Sequence, residues 1–279
     1  MSKIPLPRLL RVLAALGGLI ASQAAAQHAH INAGIDANSR LTFVNADRFA
    51  AESGYFVALP KVTNGFYAGY HIANAPTFTA LASTPINGGP SAGHAAAGAH
   101  IVARIETVEG PEGGRFGFWE TPGDEEDATE LTFSVPVGET QGGLEFPLSE
   151  NSGQAGADPY GHIHGRYFSA TLPGLYTVGL RLRDTSSNGP GGGPLHEDSP
   201  VIRFLFQAGL TLAKAIPGPE GLELRFAAQS GVSYQVEYTR RLESPEWIAI
   251  GSPVTGTGRM ASVLVPTPVV GAFFRLRSP

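Results

Sequence analysis

The sequence predicts an all-β protein, an antiparallel β-sandwich domain followed by a smaller β-sandwich module. Three observations predict it. Short segments alternate apolar and polar residues with a period of two, Gly (36) and Pro (22) are scattered without period through 279 residues, and amphipathic helical patterns are scarce.

The first 26 residues stand apart from the fold. Lys3, Arg8 and Arg11 precede the apolar run "VLAALGGLIA", and "SQAAAQ" places Ala24 and Ala26 in a small-x-small cleavage pattern. This is the layout of a cleaved secretory signal, with the mature chain starting near Gln27. The run is short for a membrane span, and no later stretch is long enough to cross. The expectation is export, to periplasm, cell surface or medium, with no transmembrane segment in the mature chain. Beyond residue 26 there are 16 Lys and Arg against 24 Asp and Glu, a net charge of −8. That disfavours nucleic acid as a partner and suits a cation. No cysteine is present, so disulfides and thiolate metal sites are excluded.

Along the mature chain, "NADRFAAES" (45–53) has the pattern for a turn or two of helix. "LYTVGLRLR" places Tyr176, Val178, Leu180 and Leu182 on one strand face. "GLELRF" does the same with Leu222, Leu224 and Phe226, and "SYQVEY" with Tyr234, Val236 and Tyr238. A boundary falls near residue 208. All eight histidines lie at or before His196. Residues 27–207 carry 9 basic and 19 acidic residues, and residues 208–279 carry 7 and 5. The reading is therefore a signal peptide at 1–26, an acidic, histidine-bearing sandwich at 27–207 and a small β-module at 208–279.

Histidine is where chemistry concentrates. "GHIHGRYF" (161–168) reads as a strand, so His162 and His164 point the same way, roughly 7 Å apart. A second HxH, His28 and His30 in "QHAHINAG", falls at the mature N-terminus. His196 follows a Gly-rich loop and precedes Glu197 and Asp198, which are either ligands, acceptors that fix an imidazole tautomer, or a solvated loop. His71 in "GYHIAN" has less context, and His94 and His100 in "SAGHAAAGAH" read as surface. The acidic run "GDEEDATE" (123–130) lacks the ligand spacing of a calcium loop and reads as solvated. Imidazole ligands suit Zn²⁺, and Cu²⁺ binds such sites more tightly still, so ligand type alone leaves the metal open. There is no GxSxG, no HExxH and no phosphate-binding glycine loop, and Glu106 and Glu109 read equally well as strand-face charges. The sequence makes no positive case for catalysis.

Three segments carry a resemblance: "HINAGI" (30–35), "GGRFGFWE" (113–120) and "DPYGHIHGRYFSATLPGLYTVGLRLRD" (158–184). Over residues 28–207 the chain resembles the bacterial surface-anchored proteins with a choice-of-anchor M domain and their zinc-repressed relatives with PEP-CTERM tails. The resemblance implies an exported zinc-binding protein with His30, His162 and His164 as ligands; His196 is added from its own context. The family's HxHxxW is here "HIHGRYF", with Tyr167 or Phe168 in the aromatic place, and no PEP-CTERM or LPxTG motif follows. "GLELRFAAQSGVSYQVEYTRRLESPEWIAIG" and "AFFRLRSP" are similar to C-terminal modules of exported Verrucomicrobia-type proteins, which implies presentation at the surface.

Three functions follow as expectations. The first is metal storage, buffering or delivery, with a metal importer or cell-envelope component as partner. The second is an adhesion or glycan-binding module using Tyr160, Tyr167 and Trp119, with Trp119 read more readily as core. The third is a copper oxidoreductase with a histidine brace, which requires His28 at the mature N-terminus.

Overall fold

The computed structural model describes residues 29–86, 91–120, 130–139, 144–243, 245–266 and 271–278. The segment read as a signal peptide, His28, and residues 123–129 of the acidic run lie outside the described residues.

The protein is all-β. Among the described residues, thirteen strands build the first part: β1 (His30–Ile35), β2 (Leu41–Phe43), β3 (Phe56–Leu59), β4 (His71–Ala73), β5 (Thr77–Ala80), β6 (Ile101–Glu109), β7 (Arg115–Trp119), β8 (Leu131–Pro136), β9 (Leu144–Pro147), β10 (Gly161–His162), β11 (Tyr167–Ala170), β12 (Gly174–Asp184) and β13 (Ile202–Ala208). They form sheets ordered β10-β5-β1-β2, β4-β11-β7-β8 and β3-β13-β12-β6-β9. Inward side chains of all three sheets share one core, in which Phe78 packs against Phe43, Phe146, Phe168 and Phe204. Tyr176, Val178, Leu180 and Leu182 of β12 are all buried in it, because alternate residues of a strand share a face. Where helical turns were expected, a short helix α1 (Ala46–Phe49) and a 3₁₀ turn (Ala51–Ser53) occur.

Two pairings depart from an antiparallel scheme: β1 runs parallel to β5, and β3 to β13. Both are joined by long connections, which parallel neighbours need.

Six further strands, β14 (Leu212–Gly218), β15 (Gly221–Ala228), β16 (Ser233–Thr239), β17 (Ile248–Thr255), β18 (Arg259–Pro266) and β19 (Phe273–Arg277), make two three-stranded sheets around Leu224, Phe226, Tyr234, Val236 and Val265. In β16 the alternation fails at its end. A bulge against β17 shifts the register, Tyr238 is half-buried, and Glu237 is buried while paired with Arg275 and Arg277. The two parts touch through Phe56, Leu205 and Ala227, and Met260 N–H donates to Gly54 O at 2.9 Å.

Candidate functional site

Strand alternation decides where His30 goes. Ile31 and Ala33 of β1 are buried in the core, so His30 and Asn32 take the opposite, outer face. Across the parallel pair, His30 lies beside Thr77 and Asn32 beside Thr79. Across the antiparallel pair on the other edge of β5, His162 lies beside Thr79. Two histidines from far-apart segments therefore flank one threonine. His30 Nδ1 is 3.4 Å from Thr79 Oγ1. The His30 and His162 ring centres are 4.7 Å apart, edge to face, and those of His162 and His164 are 4.4 Å apart with planes tilted by 31°. Thr79 is buried beneath them.

The expectation of a continuous strand through "GHIH" is corrected. The strand ends at His162, and Gly165 at φ 74° turns the chain. His164 nonetheless returns to His162 because its neighbours are tied down. Arg166 is more than nine-tenths buried. Its Nε–H donates to Glu120 Oε1 at 2.7 Å and its Nη1–H to Pro147 O at 2.5 Å. The guanidinium lies 5.7 Å from the ring centres of Phe118 and of Phe146. Burial pushes it below its ordinary pKa against the pull of Glu120. Upstream, Asp158 accepts hydrogen bonds from Ser83 and from Tyr160 N–H. A Cβ on Gly161 would lie 1.8 Å from Leu148 O, so β10 approaches that backbone as only glycine permits.

Three imidazoles on a tetrahedral zinc would hold their ring centres about 5 Å apart, close to the spacings found. Among the described residues, however, no group of three or more His, Cys, Asp or Glu side chains is arranged to hold a metal ion. The rings lie against one another, His30 edge to face with His162 and His162 tilted on His164. The cluster is open on its outer side, with His164 exposed and His30 and His162 half-buried. Behind His164 a cavity of about 40 Å³ is walled by Asn74, Thr77, Phe146, Arg166 and Phe168, room for water but not for an organic molecule.

His196 does not join the three. It is buried, its Nε2 accepts from Ala96 N–H at 2.9 Å, and its Nδ1–H donates to Ser39 O at 2.8 Å. Ser39 lies beyond the far end of β1, roughly 17 Å of strand from His30. The expectation that the loop at 196 completes the set is corrected: both ring nitrogens serve the backbone. Asp198 pairs with Arg183, and the Glu197 carbonyl accepts from Leu41 N–H. His71 is buried on β4, in another sheet, and its Nδ1 has no hydrogen-bond partner among the described residues. Burial, then the Lys61 charge, lowers its pKa. His94 Nδ1 meets Ala82 O at 2.5 Å, and His100 Nδ1 meets Thr185 Oγ1 at 2.7 Å.

Trp119 is a core residue, its Nε1–H donating to Ser169 Oγ at 2.7 Å. Tyr167 is its cross-strand neighbour and stacks on Tyr67, with Phe66 exposed at the rim. Tyr160 belongs to the approach to β10, where its carbonyl accepts from Glu150 N–H.

Sequence reasoning missed Asn45, Thr79, Glu150 and Arg166. Asn45, Thr79 and Glu150 reach the histidines through long-range contacts that no local pattern marks, whereas Arg166 lies two residues beyond His164 and only its partners Glu120 and Pro147 are distant.

No protein-family model matches the chain, and no curated protein is similar to it.

Proposed function

We propose that this is an exported bacterial surface protein that binds zinc at His30, His162 and His164 and stores, buffers or hands on the ion. One observation carries the reading: the folding of β1 and β10 onto β5 gathers three imidazole rings on one outer face. The acidic balance of residues 27–207 and the absence of cysteine favour a hard or borderline divalent cation held by nitrogen. Capture would turn the rings about their side-chain torsions, with the backbone already in place. The resemblance to zinc-repressed surface proteins points the same way. The open outer side suits exchange with an acceptor more than a permanent structural ion.

Titration of the purified mature protein with Zn²⁺ against a chromophoric chelator tests the reading. About one ion is expected per chain, lost in the His162→Ala, His164→Ala double variant. Undiminished binding in that variant overturns it.

A second reading, an adhesion or glycan-binding surface, rests on Phe66, 66% exposed beside the stacked Tyr67 and Tyr167. A glycan array probed with and without chelator separates the two. Glycan binding indifferent to chelator and weakened by Phe66→Ala favours the second.

A further inference from the structure

We infer that Asn45 and Glu150 are positioning residues for the histidine cluster, side chains that replace missing neighbouring strands and so hold His30 and His162 ready for an ion. The affinity part of this inference rests on the zinc reading above.

Both histidines sit where their sheet runs out. β2 pairs with β1 only from Ala33 to Ile35, which leaves the edge of His30 and Asn32 without a strand beside it. Asn45 fills the gap. Its Nδ2–H donates to His30 O at 2.9 Å, and its Oδ1 accepts from Asn32 N–H at 3.0 Å. One amide side chain thus makes the paired donor and acceptor contacts that a strand residue would make. One residue earlier, Val44 N–H donates to Asn32 O at 2.9 Å, extending the same seam.

β10 is two residues long and is the edge of its sheet. On its outer edge, Glu150 Oε1 accepts from His162 N–H at 2.7 Å, and Glu150 N–H donates to Tyr160 O at 3.0 Å. A carboxylate accepting a backbone N–H makes a stronger bond than a neutral acceptor. Removing the Glu150 side chain leaves His162 N–H without its outer acceptor, and removing that of Asn45 leaves His30 O and Asn32 N–H without their outer partner, while the backbone bonds of Val44 and of Glu150 N–H remain. The two-residue β10–β5 pairing is weak, so His162 would lose its register with His30 before the core is affected.

Glu150 is exposed, so Glu150→Ala removes the tie without opening the interior. Glu150→Gln keeps a carbonyl oxygen for His162 N–H and removes the charge. Two readouts apply to the full mature protein: hydrogen exchange of the His162 and Asn32 amides in the metal-free state, and Zn²⁺ affinity by chelator competition. E150A is expected to speed exchange at His162 and weaken affinity about 10- to 100-fold, as loss of groups that orient ligands does. Asn45→Ala should do the same through Asn32. E150Q should stay within about threefold of the parent in both. If E150Q loses as much affinity as E150A, the charge itself acts on the ion and the positioning role is overturned. Wild-type affinity in both E150A and N45A overturns it as well. Failure of the zinc reading shows differently, as binding that survives in H162A/H164A. The exchange readout still judges the two ties in that case.

Discussion

Ala96 N–H donates to Nε2 of His196 at 2.9 Å, while Nδ1–H of the same ring donates to Ser39 O. One imidazole thereby ties the turn at Ser39 to the loop at Ala96. His196→Ala should cost about 2–4 kcal/mol, because it opens a cavity and orphans a buried amide. Zinc affinity should be unchanged. Urea unfolding and a zinc titration on the same variant check both halves.

Asp184 organises the same region. Its carboxylate accepts from the N–H groups of His100, Ser186, Leu195 and His196. Burial raises its pKa, but the hydrogen bonds from Ser186, His100 and Leu195 outweigh that, and the group sits below its ordinary value. The unfolded chain thus binds a proton first as pH falls below about 4. Stability from Asp184 is complete above that pH and declines as pH falls toward the folded pKa. Asp184→Asn turns one acceptor into a donor facing amide donors and should cost about 2–4 kcal/mol at neutral pH. In D184N the acid limb of a stability–pH curve should be shallower.

His71 supplies a second acid-sensitive group, at higher pH. Its folded pKa is lowered by burial and then by the Lys61 charge, so between that value and the unfolded value near 6.5 the unfolded chain holds more protons. Stability is full above about pH 6.5 and falls as pH drops below it. His71→Leu should cost about 1–2 kcal/mol at pH 7.5, because it gives up the hydrogen bond to the Leu59 backbone while Nδ1 has no partner among the described residues. The parent's decline below about pH 6.5 should flatten in H71L. An equal slope in both proteins would assign the decline to other groups.

Arg166→Met should destabilise by about 3 kcal/mol. It removes one partner of a largely buried ion pair and leaves Glu120 and Pro147 O without their donor. Arg166→Lys should restore little, because an ammonium cannot reach both acceptors with a planar fork. Thermal melts of the two variants test this.

Gly161→Ala is the sharpest steric probe of the site. The added methyl would meet Leu148 O at 1.8 Å, so β10 must leave β5 or the Leu148 backbone must yield. Loss of zinc binding with the core still folded is the expected result, read by chelator competition and near-UV circular dichroism.

The fold class was legible because its signal is local. Period-two alternation in "LYTVGLRLR" puts the four expected side chains in the core, and "GLELRF" lies within β15 with Leu224 and Phe226 buried. The candidate site was legible only in part. His162 and His164 do share a side, though not through the strand alternation expected of "GHIH", and the place of His30 beside them follows from a parallel pairing with β5, which no short pattern encodes. His196 misled because an Asp–Glu neighbourhood looks like metal chemistry. Its actual partners are backbone groups at Ser39 and Ala96, which a sequence does not display. Glu150 and Asn45 were invisible for the same reason: each acts on a backbone far along the chain.

β1 and β10 meet only across β5, and this has a consequence in time. As the chain emerges, "HINAGI" comes first and "GHIHG" only after most of the first domain, so the three-ring cluster is a late contact of folding. An unfolded chain presents the 162–164 pair without His30. On the zinc proposal, folding would come before loading, and an ion that stabilises the folded form would lengthen the protein's life in proportion to the local metal supply.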